Sequence, residues 1–190
     1  MLEVRCTKKL QSLLQLNCEA DYCQTSSSTT LGVWYANVFT VEYDPYLWNR
    51  PTESYLLMVN TESILSFHTH MPEELSQEMF IAEIPIYINK CLVDNGFSRR
   101  QIDFLMKSYK NVGVSKATNR SMLGYLRSLA FDYESQILRA TPYDHDGEVG
   151  SARTEVEIKG PNDIKRQGLI KPTAKRAARA LASEALRHAT

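Results

Sequence analysis

The chain has 190 residues, of which 43% are hydrophobic and 23% are charged, and its 22 basic residues balance its 22 acidic residues. This composition is that of a globular protein with a sizeable core, and it excludes collagen-like, low-complexity and wholly disordered chains. No apolar run approaches the ~18 residues of a membrane-spanning helix and the first residues lack the order of a signal peptide, so we expect a cytoplasmic protein with no membrane partner.

The chain begins with a predicted strand and a short helix. Residues 2–6 alternate weakly between apolar and polar side chains, and Thr7 is a favourable N-cap for a helix over 8–16. The polar stretch at 24–30 is predicted to be a loop.

Three further strands are predicted before residue 70. Residues 31–43 are rich in aromatic and β-branched side chains on both faces, which is typical of a strand covered on both sides. Residues 54–59 and 63–68 are predicted to pair as a hairpin through a tight turn. The segment 44–51 contains two prolines and is predicted to be an excursion between strands.

Helical periodicity is found mainly between residues 72 and 138. Helices are predicted over 72–95 and, after a capping box that begins at Ser98, over the residues that follow it. A short strand is predicted over 109–114. The helix predicted over 120–138 has the clearest apolar stripe.

These elements predict an α+β fold, with a small and mostly antiparallel sheet packed by helices. We expect a single domain over 1–140, an acidic linker over 141–158 and a basic tail over 159–190 that is helical or partly disordered.

The cysteines and histidines do not have the spacing of a metal site. Two imidazoles one residue apart, at His68 and His70, together with a cysteine are an alternative zinc set, but no second close ligand pair follows. We therefore predict no metal and no cofactor, and packing or surface histidines. The four cysteines are predicted to be reduced thiols, and they are Cys6, Cys18, Cys23 and Cys91.

The balanced net charge conceals alternating blocks. Residues 1–88 carry 4 basic and 11 acidic residues, 89–130 carry 8 and 2, 131–158 carry 2 and 7, and 159–190 carry 8 and 2. A basic block attracts polyanions, although the blocks can equally pair with one another or face water.

Three predicted helices begin with cations, at residues 8–9, at 99–100 and at Arg120. The helix macrodipole disfavours positive charge there by roughly 0.3–1 kcal/mol per well-placed charge. A bound anion removes this conflict, because backbone amides and Lys or Arg together hold phosphate. The alternative is that these side chains turn to water or pair with carboxylates.

Aromatic and amide side chains lie together on the predicted strand at 31–43. Trp34 and Tyr35 offer flat surfaces on which a base could stack, and Asn37 offers an amide to a base edge. The alternative is that these residues belong to the core. Asn60 and Asn119 raise the same question, because a buried amide needs a partner.

The sequence resembles a bacterial domain family of unknown function over about residues 1–130. The resemblance implies no activity, cofactor or partner, and the segment 44–53 and the tail have no counterpart in it. Its motifs are carried here by Arg5, Cys6, Thr7, Lys8 and Leu10, by Gly32, Trp34, Tyr35, Ala36 and Asn37, by Leu56, Val59 and Asn60, and by Asn119, Arg120, Ser121, Leu123 and Gly124.

The sequence favours a phosphate-binding or nucleic-acid-binding protein, in an antitoxin-like or phage-defence accessory role, whose partner is a nucleotide or a nucleic acid. One alternative is an enzyme that acts on a nucleotide or RNA, but paired carboxylates and a glycine-rich phosphate loop are missing. Another is a protein-interaction module whose basic tail binds an acidic protein partner. The predicted ligand-binding residues are Thr7, Lys8, Lys9, Trp34, Tyr35, Asn37, Asn60, Asn119, Arg120 and Ser121.

Overall fold

The computed structural model of the protein describes residues 1–16, 18, 32–43, 52–107, 109 and 111–140. Four of the sequence-based predictions therefore lie outside the described residues, and they concern the loop at 24–30, the excursion at 44–51, the acidic linker at 141–158 and the basic tail at 159–190.

The described residues form an α+β fold, as the sequence predicts. No helix within these ranges is both long and apolar enough to cross a membrane. The elements in chain order are β1 (Leu2–Cys6), α1 (Lys8–Leu14), β2 (Trp34–Glu42), β3 (Thr52–Asn60), β4 (Ser66–His70), α2 (Gln77–Asp94), α3 (Arg99–Lys107), β5 (Val112–Lys116) and α4 (Arg120–Ala140).

The strands form one mixed sheet with the order β4-β3-β2-β1-β5. The β2–β3 and β3–β4 pairs are antiparallel and contain most of the paired residues, which confirms the mostly antiparallel sheet. β1 lies between β2 and β5 and is parallel to both. At its carboxyl end, Cys6 is paired with Ala36 on one side and with Lys116 on the other.

Both faces of the sheet are covered by helices, as the composition of β2 predicts. One core contains Trp34 of β2 together with residues of α1, α2 and α3, such as Leu10 and Phe80. The other core contains Tyr35 and the apolar stripe of α4, which includes Tyr133. Burial of each large apolar side chain contributes roughly 1.5–3 kcal/mol to the stability of the fold. The two cores therefore hold the helices against both faces of the sheet.

The end of α1 and the start of α2 differ from the predicted positions, and α4 ends at Ala140, two residues beyond its predicted end. α1 ends at Leu14 because Gln15 has a left-handed backbone, with φ of 50°. α2 begins at Gln77, five residues later than predicted, because Ser76 is its N-cap and accepts a hydrogen bond from the Met79 amide at 3.2 Å.

The predicted capping box of α3 is confirmed. The Ser98 amide donates to Gln101 Oε1 at 2.9 Å, and the Gln101 amide donates to Ser98 Oγ at 3.4 Å. The strand predicted over 109–114 is displaced toward the C-terminus, because Tyr109 is buried in the core, where Trp34 Nε1 donates to its hydroxyl at 3.4 Å.

The predicted β3–β4 hairpin is also confirmed, and a buried asparagine holds its turn. Asn60 Oδ1 accepts hydrogen bonds from the Glu62 amide at 3.1 Å, from the Ser63 amide at 2.9 Å and from Ser63 Oγ at 2.8 Å. This network supports Ile64, whose φ of 57° is costly for a β-branched residue.

Candidate anion-binding site

Two helices begin at the carboxyl ends of the neighbouring parallel strands β1 and β5. The Thr7 amide donates to the Ala36 carbonyl at 3.0 Å, and the Ala117 amide donates to the Cys6 carbonyl at 3.0 Å, so the ladder continues one residue past each strand. α1 starts directly afterwards at Lys8, and α4 starts at Arg120. We call residues 6–9 and 116–121 the β1–β5 edge.

The two helices leave the β1–β5 edge toward opposite faces of the sheet. α1 packs into the core that contains Trp34, whereas α4 packs into the core that contains Tyr35. In open sheets, adjacent parallel strands whose connections leave to opposite faces create a crevice at their carboxyl ends, where ligands bind. The connections that follow β1 and β5 have this arrangement.

The β1–β5 edge carries positive charge at both helix starts. Lys8, Lys9, Lys116 and Arg120 are all exposed. Within the described ranges, ion pairs join Glu3 to Arg5 and Arg99 to Asp103, and none involves a cation of this edge. Neither α1 nor α4 has an acidic residue in its first turn. These four cations therefore have no carboxylate partner among the described residues.

Thr7 and Asn37 are brought together at this edge, 30 residues apart in the chain. Thr7 Oγ1 donates to Asn37 Oδ1 at 2.8 Å, and the Thr7 side chain makes no capping bond to α1. Asn37 is half-buried, and its side-chain nitrogen has no acceptor among the described residues. This nitrogen is a neutral donor on a side chain that is bonded to Thr7, the residue before α1.

Asn119 is the N-cap of α4. Its Oδ1 accepts hydrogen bonds from the Ser121 amide at 3.0 Å and from the Met122 amide at 3.2 Å. The cap occupies these two amides, so a ligand at this end of α4 would meet side chains such as Arg120 and Ser121, both of which are exposed.

Four predicted binding residues are buried, and they are Thr7, which is 8% exposed, and three others that lie deeper in the interior. Trp34 is fully buried, and Tyr35 is 1% exposed. Neither ring offers a face to a base, because helices cover both sides of β2. Asn60 is fully buried, and its Oδ1 is used in the β3–β4 turn. The burial of Trp34, Tyr35 and Asn60 agrees with the alternative interpretation, in which the aromatic side chains belong to the core and the buried amide has hydrogen-bond partners.

A charged pair on β1 is a feature that the sequence analysis does not single out. Arg5 Nε donates to Glu3 Oε1 at 2.8 Å, and Arg5 Nη1 donates to the Tyr35 hydroxyl at 3.3 Å. Ser115 Oγ on β5 also donates to Glu3 Oε1, at 3.5 Å. Burial lowers the pKa of Arg5, but its bonds to Glu3 and Tyr35 outweigh burial, so the net pKa is raised.

The sequence contains a signal for this pair. Glu3 and Arg5 are two residues apart, and the alternate positions Leu2, Val4 and Cys6 are apolar. A charged pair on one face of an otherwise apolar strand is expected to need internal partners. Lys116 is also missed, because the predicted strand ends two residues before it.

A depression of about 470 Å³ opens at a different place, between the last turn of α1 and the ends of β3 and β4. Its described lining combines apolar residues with Glu53 and Glu73. None of these described lining residues belongs to the β1–β5 edge, so the two are separate features.

Comparison with known proteins finds one family. Residues 3–153 match the model of a domain of unknown function, DUF6933. No curated protein and no solved structure matches the chain.

Proposed function

Since the chain belongs to the DUF6933 family, whose description assigns no activity, we propose from its own residues that it binds phosphate groups of a nucleotide or a nucleic-acid strand at the β1–β5 edge. The observation that carries the proposal is the topology of β1 and β5, which are adjacent and parallel and lead into helices on opposite faces. Cations stand at the start of both helices and have no ion-pair partner among the described residues.

The cations of the edge and Asn37, which is bonded to Thr7 of the edge, have different chemical roles in this proposal. The Arg120 guanidinium offers a planar fork that matches two phosphate oxygens, whereas Lys8 and Lys9 act as point charges. The Asn37 amide nitrogen adds a neutral hydrogen bond. Charge supplies most of the affinity, so binding is expected to weaken steeply as salt is raised.

The buried aromatic residues limit what such a site reads. Trp34 and Tyr35 are withdrawn into the core, and the described part of the edge presents cations and amides. Contacts to phosphates position a nucleic acid without reading its sequence. We therefore expect little preference among base sequences.

The test is the Arg120→Ala variant. Binding of a fluorescent single-stranded oligonucleotide is followed by anisotropy, with inorganic phosphate and a mononucleotide as competitors. Loss of a charged hydrogen-bonding partner is expected to weaken binding about 5–150-fold, which corresponds to about 1–3 kcal/mol. The slope of log affinity against log salt is expected to flatten by about 0.7 for a single strand.

Arg127→Ala is the matched control, because Arg127 is an exposed arginine on the same helix, two turns beyond its start. It is expected to retain most of the affinity. Both variants should keep the thermal midpoint of the unchanged protein, because the two side chains are exposed. Unfolding of Arg120→Ala would identify a structural ion-pair partner, and unchanged binding would exclude the edge as the site.

A further inference from the structure

α2 carries a row of exposed apolar side chains on the side opposite its buried face. Met79 is 47% exposed, Ile86 is 64% exposed and Val93 is 55% exposed. They recur every seven residues, so they lie nearly in line, two turns apart, along the length of the helix. The buried residues of α2, such as Ile84 and Ile88, lie on the other side. An aligned row of this kind indicates an interaction surface, which scattered single residues do not.

The row has the spacing of a coiled-coil seam. Ala82 lies three residues after Met79, Asn89 lies three residues after Ile86, and both are exposed. The exposed residues therefore follow one another in alternating steps of three and four, which is the pattern that packs one helix along another. We call Met79, Ala82, Ile86, Asn89 and Val93 the α2 seam.

The charges beside the α2 seam differ between its two flanks. Glu83 and Lys90 lie seven residues apart on one flank, whereas Glu78 and Pro85 lie on the other. Neither Glu83 nor Lys90 forms an ion pair with another described residue. One flank therefore carries one charge of each sign, placed nearly symmetrically about Ile86.

We propose that the α2 seam binds a second copy of this chain, with the two α2 helices antiparallel about a two-fold axis near Ile86. In this arrangement like flanks face each other. Glu83 of one copy then meets Lys90 of the other, and this pair occurs twice. Met79 packs near Val93 of the second copy, and the two Ile86 side chains meet at the axis.

The charge pattern selects this direction over a parallel one. In a parallel pair unlike flanks face each other, and Glu83 would lie beside Glu78 of the second copy, where like charges repel. The antiparallel pair also places Asn89 opposite the small side chain of Ala82 of the second copy. A polar and a small residue reduce the apolar area that the seam buries, so we expect a reversible dimer at micromolar protein concentrations.

Sedimentation equilibrium of the full-length reduced protein over a series of concentrations tests the proposal. The samples contain no nucleic acid, so the result does not depend on the proposed phosphate site. We expect a monomer–dimer equilibrium. Ile86→Lys should raise its dissociation constant at least about tenfold, because two positive charges would face each other at the axis.

Phe131→Lys is the matched control, because Phe131 is 69% exposed on α4, which covers the other face of the sheet. It should leave the dissociation constant unchanged. Both variants should keep the thermal midpoint of the unchanged protein, since both side chains are exposed. A monomer at every concentration up to the millimolar range, or a dimer that persists in Ile86→Lys, would overturn the proposal. A monomer whose thermal midpoint falls in Ile86→Lys would show instead that another part of the chain covers the seam.

Two charge variants test the direction of pairing. Lys90→Glu should weaken the dimer about 3–10-fold, because it places a negative charge opposite Glu83 of the second copy. Adding Glu83→Lys to the same chain should restore the affinity, since opposite charges then meet again. Glu83 accepts a hydrogen bond from the Tyr87 hydroxyl, so the thermal midpoint of each variant is compared with that of the unchanged protein. No recovery in a folded double variant would exclude the antiparallel pair.

Discussion

His68 is a buried imidazole, and neither of its ring nitrogens has a hydrogen-bond partner among the described residues. Its ring lies 4.4 Å from the Tyr133 ring and near those of Phe39 and Tyr55. Burial lowers the pKa of His68 from 6.5 to about 4, because a charged imidazole is poorly solvated there. The neutral ring behaves as an aromatic core residue.

This pKa shift makes stability depend on pH. Between about pH 6.5 and pH 4 the unfolded chain binds a proton at His68 that the folded chain excludes. The contribution of the neutral His68 to stability is therefore complete above pH 6.5 and is lost as the pH falls toward 4. We expect His68 to account for up to about 3 kcal/mol of that loss. His68→Phe should therefore flatten the pH dependence of the unfolding free energy in this window, measured by urea denaturation.

His70→Gln is the control for this prediction, because His70 is exposed on the same strand. It should leave the pH dependence nearly unchanged. An equally steep loss of stability in His68→Phe would assign the acid sensitivity to carboxylates elsewhere in the chain.

At the scale of elements, α4 is the helix on which both a core and the proposed site depend. Asn119 caps it through two backbone amides. Asn119→Ala is expected to lower the unfolding free energy by about 1 kcal/mol, because these amides lose their acceptor. Asn119→Asp should restore most of the stability, since a carboxylate is also a good cap.

The same two variants separate capping from phosphate binding. Oligonucleotide affinity measured well below the unfolding temperature should fall in Asn119→Asp, because the new negative charge lies beside Arg120. Equal affinity in Asn119→Asp and the unchanged protein would show that the ligand does not approach this end of α4.

Most of the elements can be predicted from local patterns, but their assembly cannot. The two apolar faces of β2 and the capping box at Ser98 can both be recognised from neighbouring residues in the sequence. The structure confirms that β2 is covered on both faces and that the capping box forms. The end of α1 and the start of β5 are harder to predict, because the left-handed Gln15 and the packing of Tyr109 depend on tertiary structure.

The candidate site shows the same division. Cations at the starts of α1 and α4 are visible in the sequence, and the register of Cys6 with Lys116 brings both starts to one edge of the sheet. That register joins residues 110 positions apart, which no periodicity encodes. Burial of Trp34 and Tyr35 is likewise decided by helices from distant parts of the chain.

On the scale of the whole molecule, charge is distributed unevenly along the chain. Residues 159–190 carry 8 basic and 2 acidic residues, and the match to the family ends before them, at residue 153. The sequence therefore predicts that this tail adds electrostatic contact with a polyanion without contributing to the core.

Deletion of residues 160–190 tests this prediction. The thermal midpoint of the shortened chain should stay nearly unchanged, while its affinity for a single-stranded oligonucleotide falls and its salt dependence flattens. A full-length variant with Lys171, Lys175 and Arg176 changed to Gln is the control that separates charge from length. For a chain of this size, a loss of 1 kcal/mol in unfolding free energy lowers the thermal midpoint by ~2–4 °C. A drop of several degrees would therefore show that the tail is part of the core.

The position of β1 in the sheet has a consequence for the order in which the protein forms. β2, β3 and β4 pair with their neighbours in sequence and can assemble from local contacts. β1 precedes these strands in the chain, but its pairing with β5 requires residue 116. Such long-range pairing is slow, because a long loop must close before the contacts form. Until synthesis passes β5, the nascent chain exposes one open edge of β1, and in that interval it is most prone to pair with another copy.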